Sequence, residues 1–231
     1  MRNVLYICFF LSSTVALSQD KDSLSNTLDE HYREDQFYAS ITYNLLANNP
    51  NSVSQSDFST GFHFGFIRDM PFNKKRNWAV GLGIGVSSNS YNQNLLMTDN
   101  SGTINFSIDD SGLGNVTKNK FTTYLIDIPF ELRWRTSDKK TYKFWRIYSG
   151  FKFSYLVFNS TKLRSDVLDV QLSNLDVFNK LQYGLTLSAG YGTWNFNIYY
   201  GLNPIFDNIA QLNGMPIDST ALKIGIMFYI L

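Results

Sequence analysis

Few residues in this chain have side chains that could do chemistry. The chain has two histidines and one cysteine, and Cys8 lies in an apolar N-terminal stretch, so a zinc site with histidine and cysteine ligands is not expected. His63 together with Ser40 or Ser59 could form the histidine–serine pair of a hydrolase or acyltransferase. We favour a structural, hydrogen-bonded histidine, and we predict no catalytic residue, cofactor or metal site.

Two carboxylates, Asp127 and Glu131, could form a catalytic acid–base pair. They are four residues apart, which in an extended strand separates them by roughly 13 Å. Because several arginines lie nearby in the sequence, ion pairs are the favoured interpretation.

Two further segments resemble ligand-binding loops in composition only. Gly81-Leu-Gly83-Ile-Gly85 lacks the G-x-G-x-x-G spacing of a nucleotide loop and lacks a following helix. Asp109–Asn115 contains two aspartates but not the full spacing of an EF-hand loop. Lumen-facing glycines and an ordinary loop are the favoured interpretations.

These residues lie in segments with a two-residue period, and the clearest runs from Phe121 to Val157. Every second residue from Tyr124 to Trp134 is apolar or aromatic, and charged residues of both signs lie between them. The run that begins at Trp145 repeats this pattern. Such alternation is typical of strands with one apolar and one polar face. A sealed interior would not hold so many charges, so we expect the apolar face to contact lipid and the polar face to line a barrel.

Eight strands of this kind are predicted, and the connections between them alternate between short and long. The strands are Phe37–Leu46, Phe58–Arg68, Trp78–Tyr91, Phe121–Arg135, Trp145–Val157, Leu181–Tyr191, Trp194–Leu202 and Ala221–Leu231. The longest connection, Asn92–Lys120, is interpreted as a loop. The sequence therefore predicts an all-β fold, an eight-stranded antiparallel up-and-down transmembrane β-barrel with short periplasmic turns and long extracellular loops.

The distribution of large and small residues between the outward and inward positions of the strands supports this interpretation. All four tryptophans fall on outward positions beside the short turns, as expected of an aromatic girdle at one membrane interface. They are Trp78, Trp134, Trp145 and Trp194. Most strand glycines fall on inward positions, which makes room for large polar side chains in a narrow lumen. We predict a lumen without an open pore, filled by an ionic network of Asp127, Glu131, Arg133, Arg135, Arg146 and Lys152.

The N-terminal residues predict export to the outer membrane. Residues 1–18 have a basic start and an apolar stretch, and they end in Ala16-Leu17-Ser18, the small-x-small pattern of a signal peptide cleavage site. Residues 19–36 are an acidic periplasmic segment, and residues 37–231 form the barrel. The C-terminal residues Phe228-Tyr-Ile230-Leu231 resemble the signal read by the barrel-assembly machinery.

Charge is distributed unevenly along the chain. The short turns and their flanks carry a periplasmic basic rim of Arg68, Lys74, Lys75, Arg76, Lys139, Lys140 and Lys143. The acidic segment could fold back under this rim, or both could meet a periplasmic partner, or the rim could be a solvated face near lipid headgroups. Loss of Arg2 with the signal peptide removes the net charge of +1, so nucleic-acid binding is not predicted.

Ile126-Asp-Ile-Pro-Phe-Glu-Leu-Arg-Trp134, which follows a long loop, resembles a strand of the PorT-type outer-membrane β-barrels of Bacteroidota. Gly61-Phe-His-Phe-Gly-Phe66 resembles the early glycine-spaced strand of that family. The resemblance implies a scaffold or accessory subunit of a type IX secretion or gliding motility assembly, with outer-membrane lipid and protein partners and no enzymatic activity. The alternatives are a lipid-modifying enzyme at His63 and a small-solute channel.

Overall fold

The computed structural model describes residues 35–108, 111–136 and 144–230. The strands are β1 (Gln36–Ala47), β2 (Thr60–Pro71), β3 (Trp78–Asn92), β4 (Leu96–Asn100), β5 (Thr103–Ser107), β6 (Val116–Arg135), β7 (Trp145–Ser165), β8 (Asp169–Ser173), β9 (Leu181–Tyr191), β10 (Trp194–Gly201), β11 (Gln211–Leu212), β12 (Met215–Pro216) and β13 (Thr220–Ile230). Across these described ranges, no helix is long and apolar enough to cross a membrane.

Eight of these strands form one closed barrel. β1, β2, β3, β6, β7, β9, β10 and β13 pair antiparallel in this order, and β13 pairs with β1 from Phe37↔Ile230 to Ala47↔Thr220. The predicted eight-stranded up-and-down β-barrel is therefore confirmed. We call the end that carries the β2–β3, β6–β7 and β9–β10 connections the short-turn end, and the opposite end the long-loop end.

Side chains alternate across the barrel wall in the inverted sense expected in lipid. Phe130 is 47% exposed on the outer face, whereas its neighbour Glu131 is 5% exposed and faces the lumen. Glycines admit the large inward side chains at close range. A Cβ at Gly81 would lie 2.8 Å from Arg133 Nε, and one at Gly184 would lie 2.6 Å from the Tyr199 ring.

Two long connections contain more sheet than the sequence predicted. Asn92–Lys120, interpreted as a loop, contains the β4–β5 hairpin and the start of β6. β7 extends to Ser165 and pairs with β8. The reason is a β-bulge at which the register shifts between Tyr124 and Leu125, so that the outward parity on β7 changes. Smaller differences are that β2 begins at Thr60 and β10 ends at Gly201.

An apolar cluster, which we call the hydrophobic cap, lies at the long-loop end. It includes inward residues of six barrel strands and residues of all four long connections. Its members are Leu46, Val53, Tyr91, Leu95, Met97, Phe121, Leu125, Leu156, Val177, Phe178, Tyr199, Ile205, Phe206, Ala210, Leu212, Ile217 and Ala221. Phe121, Phe178 and Phe206 pack at its centre, with ring centroids 5.0–5.5 Å apart. The cap was not predicted, and it fastens the long connections to the barrel wall.

Several predictions fall outside the described residues. These are the signal peptide, most of the acidic segment, the aspartates Asp109 and Asp110 of the predicted loop, and the rim residues Lys139, Lys140 and Lys143.

Candidate functional site

The lower lumen, near the short-turn end, is built around Asp69. β2 places Asp69 on its inward face, opposite the inward arginines of β6. Arg133 Nη1 lies 3.2 Å from Asp69 Oδ1, and Arg135 Nη1 lies 2.8 Å from Asp69 Oδ2. Arg133 Nε also donates to Glu131 Oε2 at 3.1 Å. Because all these side chains are buried, each charge depends on its partners for the solvation that water would otherwise supply.

Aromatic rings hold the arginines in place. The Arg133 guanidinium lies 4.5 Å from the centroid of the Tyr148 ring and 5.7 Å from that of Tyr229. Arg146 lies closer to the short turns, where it stacks on Phe144 at 4.4 Å and donates to the Gly192 carbonyl oxygen. Cation–π contacts of this kind are favourable where the cation is desolvated.

The middle of the lumen is built around Asp127. Its Oδ1 accepts a hydrogen bond of 2.6 Å from Ser154 Oγ, and its Oδ2 lies 3.6 Å from Lys152 Nζ and 3.9 Å from His63 Nδ1. The Nζ atoms of Lys152 and Lys223 lie 4.7 and 4.8 Å from the Tyr199 ring centroid. One carboxylate therefore faces two lysines and a histidine.

The arrangement around His63 does not form a nucleophile relay. Its Nε2 lies 3.1 Å from Thr42 Oγ1, and the Ser154 hydroxyl donates to Asp127, not to the imidazole. A serine protease-like relay needs the serine hydroxyl on the histidine. Ser40 lies opposite His63 in the strand register, whereas Ser59 accepts a hydrogen bond from the Asn92 backbone at the long-loop end.

Little space remains between these side chains. A cavity of about 20 Å³ lies among Tyr38, His63, Lys152, Tyr199, Lys223 and Met227, which is room for roughly one water molecule. In the described ranges, no group of three or more His, Cys, Asp or Glu side chains could hold a metal ion. The lumen is thus a packed ionic core that spans the middle and the short-turn end.

Comparison with known proteins places this barrel in a family. The family model described as "Outer membrane protein beta-barrel domain" matches residues 17–207. The chain belongs to this family. It is an outer-membrane β-barrel, and its long-loop end is the end that faces the cell exterior in such barrels.

Solved structures of outer-membrane barrels align with most of this chain but share little sequence identity with it. Ail, the attachment invasion locus protein of Yersinia pestis in complex with the heparin analogue sucrose octasulfate, is 10% identical, with 86% of this chain and 99% of that chain covered and a TM-score of 0.37. Ail without this ligand is 10% identical over 85% and 97%, with a TM-score of 0.29. A porin mutant of Rh. blastica is 8% identical over 86% and 100%, with a TM-score of 0.15. No curated protein matches the chain.

The structure brings five of the six predicted network residues of this outer-membrane barrel into two linked clusters. Glu131, Arg133 and Arg135 lie in the lower one, and Asp127 and Lys152 lie in the middle one. Arg146 lies nearer the short turns, against Phe144 and Gly192, and its guanidinium is 5.9 Å from the Tyr229 ring that Arg133 also faces.

Sequence reasoning missed Asp69 and Lys223 as network members. Asp69 has the inward parity of His63. Lys223 has the inward parity of Gly225. Parity alone would have found both residues.

The girdle and the four described residues of the basic rim lie at the short-turn end. Arg68 is exposed on the outer face of β2, Lys74 and Lys75 are exposed in the following turn, and the Arg76 carbonyl oxygen accepts a hydrogen bond from Arg135 Nε. All four predicted girdle tryptophans lie at strand ends there: Trp78, Trp134, Trp145 and Trp194. Asp35, from the predicted acidic segment, reaches the same end and accepts a 2.8 Å hydrogen bond from the Asp69 backbone N–H.

Proposed function

We propose that this outer-membrane barrel is a non-enzymatic scaffold or accessory subunit of a secretion or gliding assembly of the type IX kind. The observation that carries the proposal is the filled lumen, because a barrel with an ionic core and a hydrophobic cap acts through its outer surfaces. The resemblance of Ile126–Trp134 to PorT-type barrels supports the choice of assembly. Export by a signal peptide of residues 1–18 is part of the same proposal.

The geometry of the lumen gives less support to the two alternatives. A small-solute channel needs a continuous aqueous path, and the cavity among Tyr38, His63, Lys152 and Lys223 in the middle of the lumen has room for about one water molecule. A lipid-modifying enzyme needs its histidine where lipid can reach it. The His63 imidazole is buried and contacts Thr42 and Asp127 on the lumen side of the wall, although the residue also borders an apolar groove on the outer face.

The basic rim is the surface we propose for partner binding. Lys74 and Lys75 are exposed side by side at the periplasmic end. The contact of Asp35 with the Asp69 backbone brings the end of the acidic segment to this part of β2. A partner held there by charge would dissociate as salt is added, since screening shortens the range of exposed charges.

The test is a pull-down of the mature protein from its native outer membrane in mild detergent, followed by mass spectrometry. An affinity tag inserted at the exposed turn Ser101–Gly102 leaves the periplasmic end free. We expect secretion or motility components to copurify and to be lost at about 0.5 M salt. Lys75→Glu should reduce their recovery, whereas Lys180→Glu at the opposite end should not. Recovery of the barrel alone would overturn the assembly role, and full recovery with Lys75→Glu would overturn the rim as the contact surface.

The channel alternative has its own measurement. Proteoliposomes that contain the protein should swell in sugar solutions no faster than empty liposomes. Swelling that depends on solute size would overturn the proposal of a closed lumen.

A further inference from the structure

Like charges lie directly opposite each other on the outer wall at the long-loop end. In the β6–β7 pair, Lys118 lies opposite Arg164 and Lys120 lies opposite Lys162. Residues two apart on a strand share a face, so the four cations form one patch. Arg164 has a carboxylate partner in Asp169, at 3.0 Å. In the described ranges, no carboxylate lies within ion-pair distance of the three lysines. Facing like charges destabilise a sheet. Two facing lysines without a carboxylate partner therefore indicate an anionic ligand at this position.

The neighbouring strands complete a row of hydrogen-bonding groups around the lysine pair. We call it the cation row, and from β3 to β8 its members are Asn92, Lys120, Lys162 and Gln171. One step closer to the membrane lies a hydroxyl row of Ser90, Thr122, Ser160 and Ser173. Asn92 Nδ2 donates to the Phe58 carbonyl oxygen, and the buried Thr122 hydroxyl donates to Ser90 Oγ. The ammonium groups of the lysine pair, the Gln171 amide and the Ser160 and Ser173 hydroxyls are donors of the kind that phosphate oxygens accept from.

Below the hydroxyl row the wall becomes aromatic and then apolar. Tyr124 and Phe158 lie opposite each other, with ring centroids 5.6 Å apart. Aromatic rings favour the membrane–water interface, so this pair marks the outer boundary of the hydrocarbon layer. Lys120 is four residues beyond Tyr124, roughly 13 Å along the strand and about 10 Å along the membrane normal at the usual tilt. A lysine stem can bend back toward the headgroups, so the cation row lies within reach of lipid phosphates.

An apolar groove begins at Tyr124 and extends around the outer wall toward β2, β1 and β13. It has a volume of about 590 Å³ on the outer face. Ser88 and Tyr124, at its upper edge, lie one outward position below Ser90 and Thr122 of the hydroxyl row. Phe62, Phe64 and Phe228 form its walls. Ala39 and Ser88 are the small side chains between them. This groove lies in the hydrocarbon layer, where acyl chains are available to fill it.

We propose that the outer face of β3, β6, β7 and β8 binds the phosphate of an outer-leaflet lipid between Lys120 and Lys162, and that an acyl chain of this lipid lies in the groove below, which extends from Tyr124 on β6 toward β2 and β1. The phosphate neutralises the facing lysines, and the chain fills the groove. The charged rows and the apolar groove adjoin at Ser88 and Tyr124. The site is independent of the periplasmic partner proposed above.

Binding can be measured by native mass spectrometry of the mature protein in lipid-free detergent. The titrants are lipid A that carries its phosphates, the same lipid after enzymatic dephosphorylation, and inorganic phosphate. We expect a one-to-one adduct with the phosphorylated lipid, much weaker binding of the dephosphorylated lipid, and no adduct with inorganic phosphate. Equal binding of both lipids would overturn the phosphate contact, and inorganic phosphate bound as tightly as the lipid would overturn the lipid as ligand.

Variants locate the site on the wall. Lys120→Gln combined with Lys162→Gln should weaken binding of the phosphorylated lipid about 30-fold, and Lys162→Gln alone about 5-fold. Lys180→Gln, a lysine at the same end and outside the patch, is the matched control and should bind as the wild type does. Retention of wild-type affinity by the double variant would overturn the proposal.

A stability measurement separates ligand binding from a structural role of the lysines. In lipid-free detergent, Lys162→Gln should unfold at a higher temperature than the wild type, because one of two facing like charges is removed. In the presence of the phosphorylated lipid the order should reverse, since the wild type then gains more from the ligand. An unchanged order in the two conditions would contradict the proposal.

Discussion

Asp69 lies beside a turn, yet it is the central carboxylate of the ion pairs in the lower lumen. It is the shared partner of Arg133 and Arg135, and all three side chains are fully buried. A buried ion pair is a modest source of stability as a whole, but removal of one member leaves an uncompensated charge. Glycines and tyrosines surround the arginines, so the guanidinium groups have little space in which to move toward water.

Asp69→Asn should therefore destabilise the barrel by about 3–5 kcal/mol. The measurement is urea unfolding in detergent, followed by the mobility difference between folded and heated protein on gels. Asp176→Asn is the control, because Asp176 is highly exposed in its pair with Lys180, and exposed pairs contribute about 0–1 kcal/mol. Equal midpoints for the two variants would contradict the role of Asp69.

His63 offers a second prediction at this scale. His63→Ala should leave the lipid composition of the outer membrane unchanged, as analysed by mass spectrometry of extracted lipids. It should lower stability modestly, because Thr42 and Asp127 lose a neighbour. A change in acylation or in phosphate content of the lipids would support the enzyme alternative.

At the scale of elements, the period-two alternation located all eight barrel strands, but it placed the start of β6 at Phe121 instead of Val116 and the end of β7 at Val157 instead of Ser165. It failed where the pattern itself is broken. The β-bulge beside Tyr124 shifts the parity of β7, and the strands beyond it, β8 and the β4–β5 hairpin, stand above the membrane and lack a lipid-facing side. The polar residues of these strands resemble loop residues in the sequence, although their backbones form the same regular antiparallel pairing as the barrel strands.

Glycine spacing within the strands gives a sharp test of how tightly the wall is built. A Cβ at Gly150 would collide with the Phe130 carbonyl oxygen of the neighbouring strand, whereas one at Gly112 would meet nothing within 4 Å. Gly150→Ala should cost at least about 1–3 kcal/mol, the usual range for overpacking, and should lower the yield of heat-modifiable barrel. Gly112→Ala should behave as the wild type. Similar yields for both variants would show that β6 and β7 can separate without penalty.

At the scale of the whole molecule, the described barrel is filled in two layers, an ionic core toward the periplasmic end and the hydrophobic cap toward the exterior. The sequence predicted the first layer from parity. It did not predict the second, because Val177, Phe178, Ile205 and Phe206 lie in connections with no period to read. The only sequence signal for the cap was the presence of pairs of apolar residues inside long polar loops. Where these residues contact each other is shown by the tertiary structure alone.

The cap should contribute measurably to stability. Phe121→Ala removes a ring at its centre and should cost about 3–5 kcal/mol, seen as a lower urea midpoint and as faster cleavage of the long connections by an added protease. Phe72→Ala is the matched control, because Phe72 is 64% exposed beside a short turn. Unchanged cleavage in Phe121→Ala would mean that the cap does not fasten the connections.

The hydrophobic cap also has a temporal consequence. Its members range from Leu46 on β1 to Ala221 on β13, so contacts between the first and last strands are needed before it can be complete. Contacts so distant in sequence form late, after the loop-closure entropy has been overcome. The cap is therefore complete only after β1 has paired with β13 and the barrel has closed. Protease resistance of the long connections then reports that assembly of the barrel has finished.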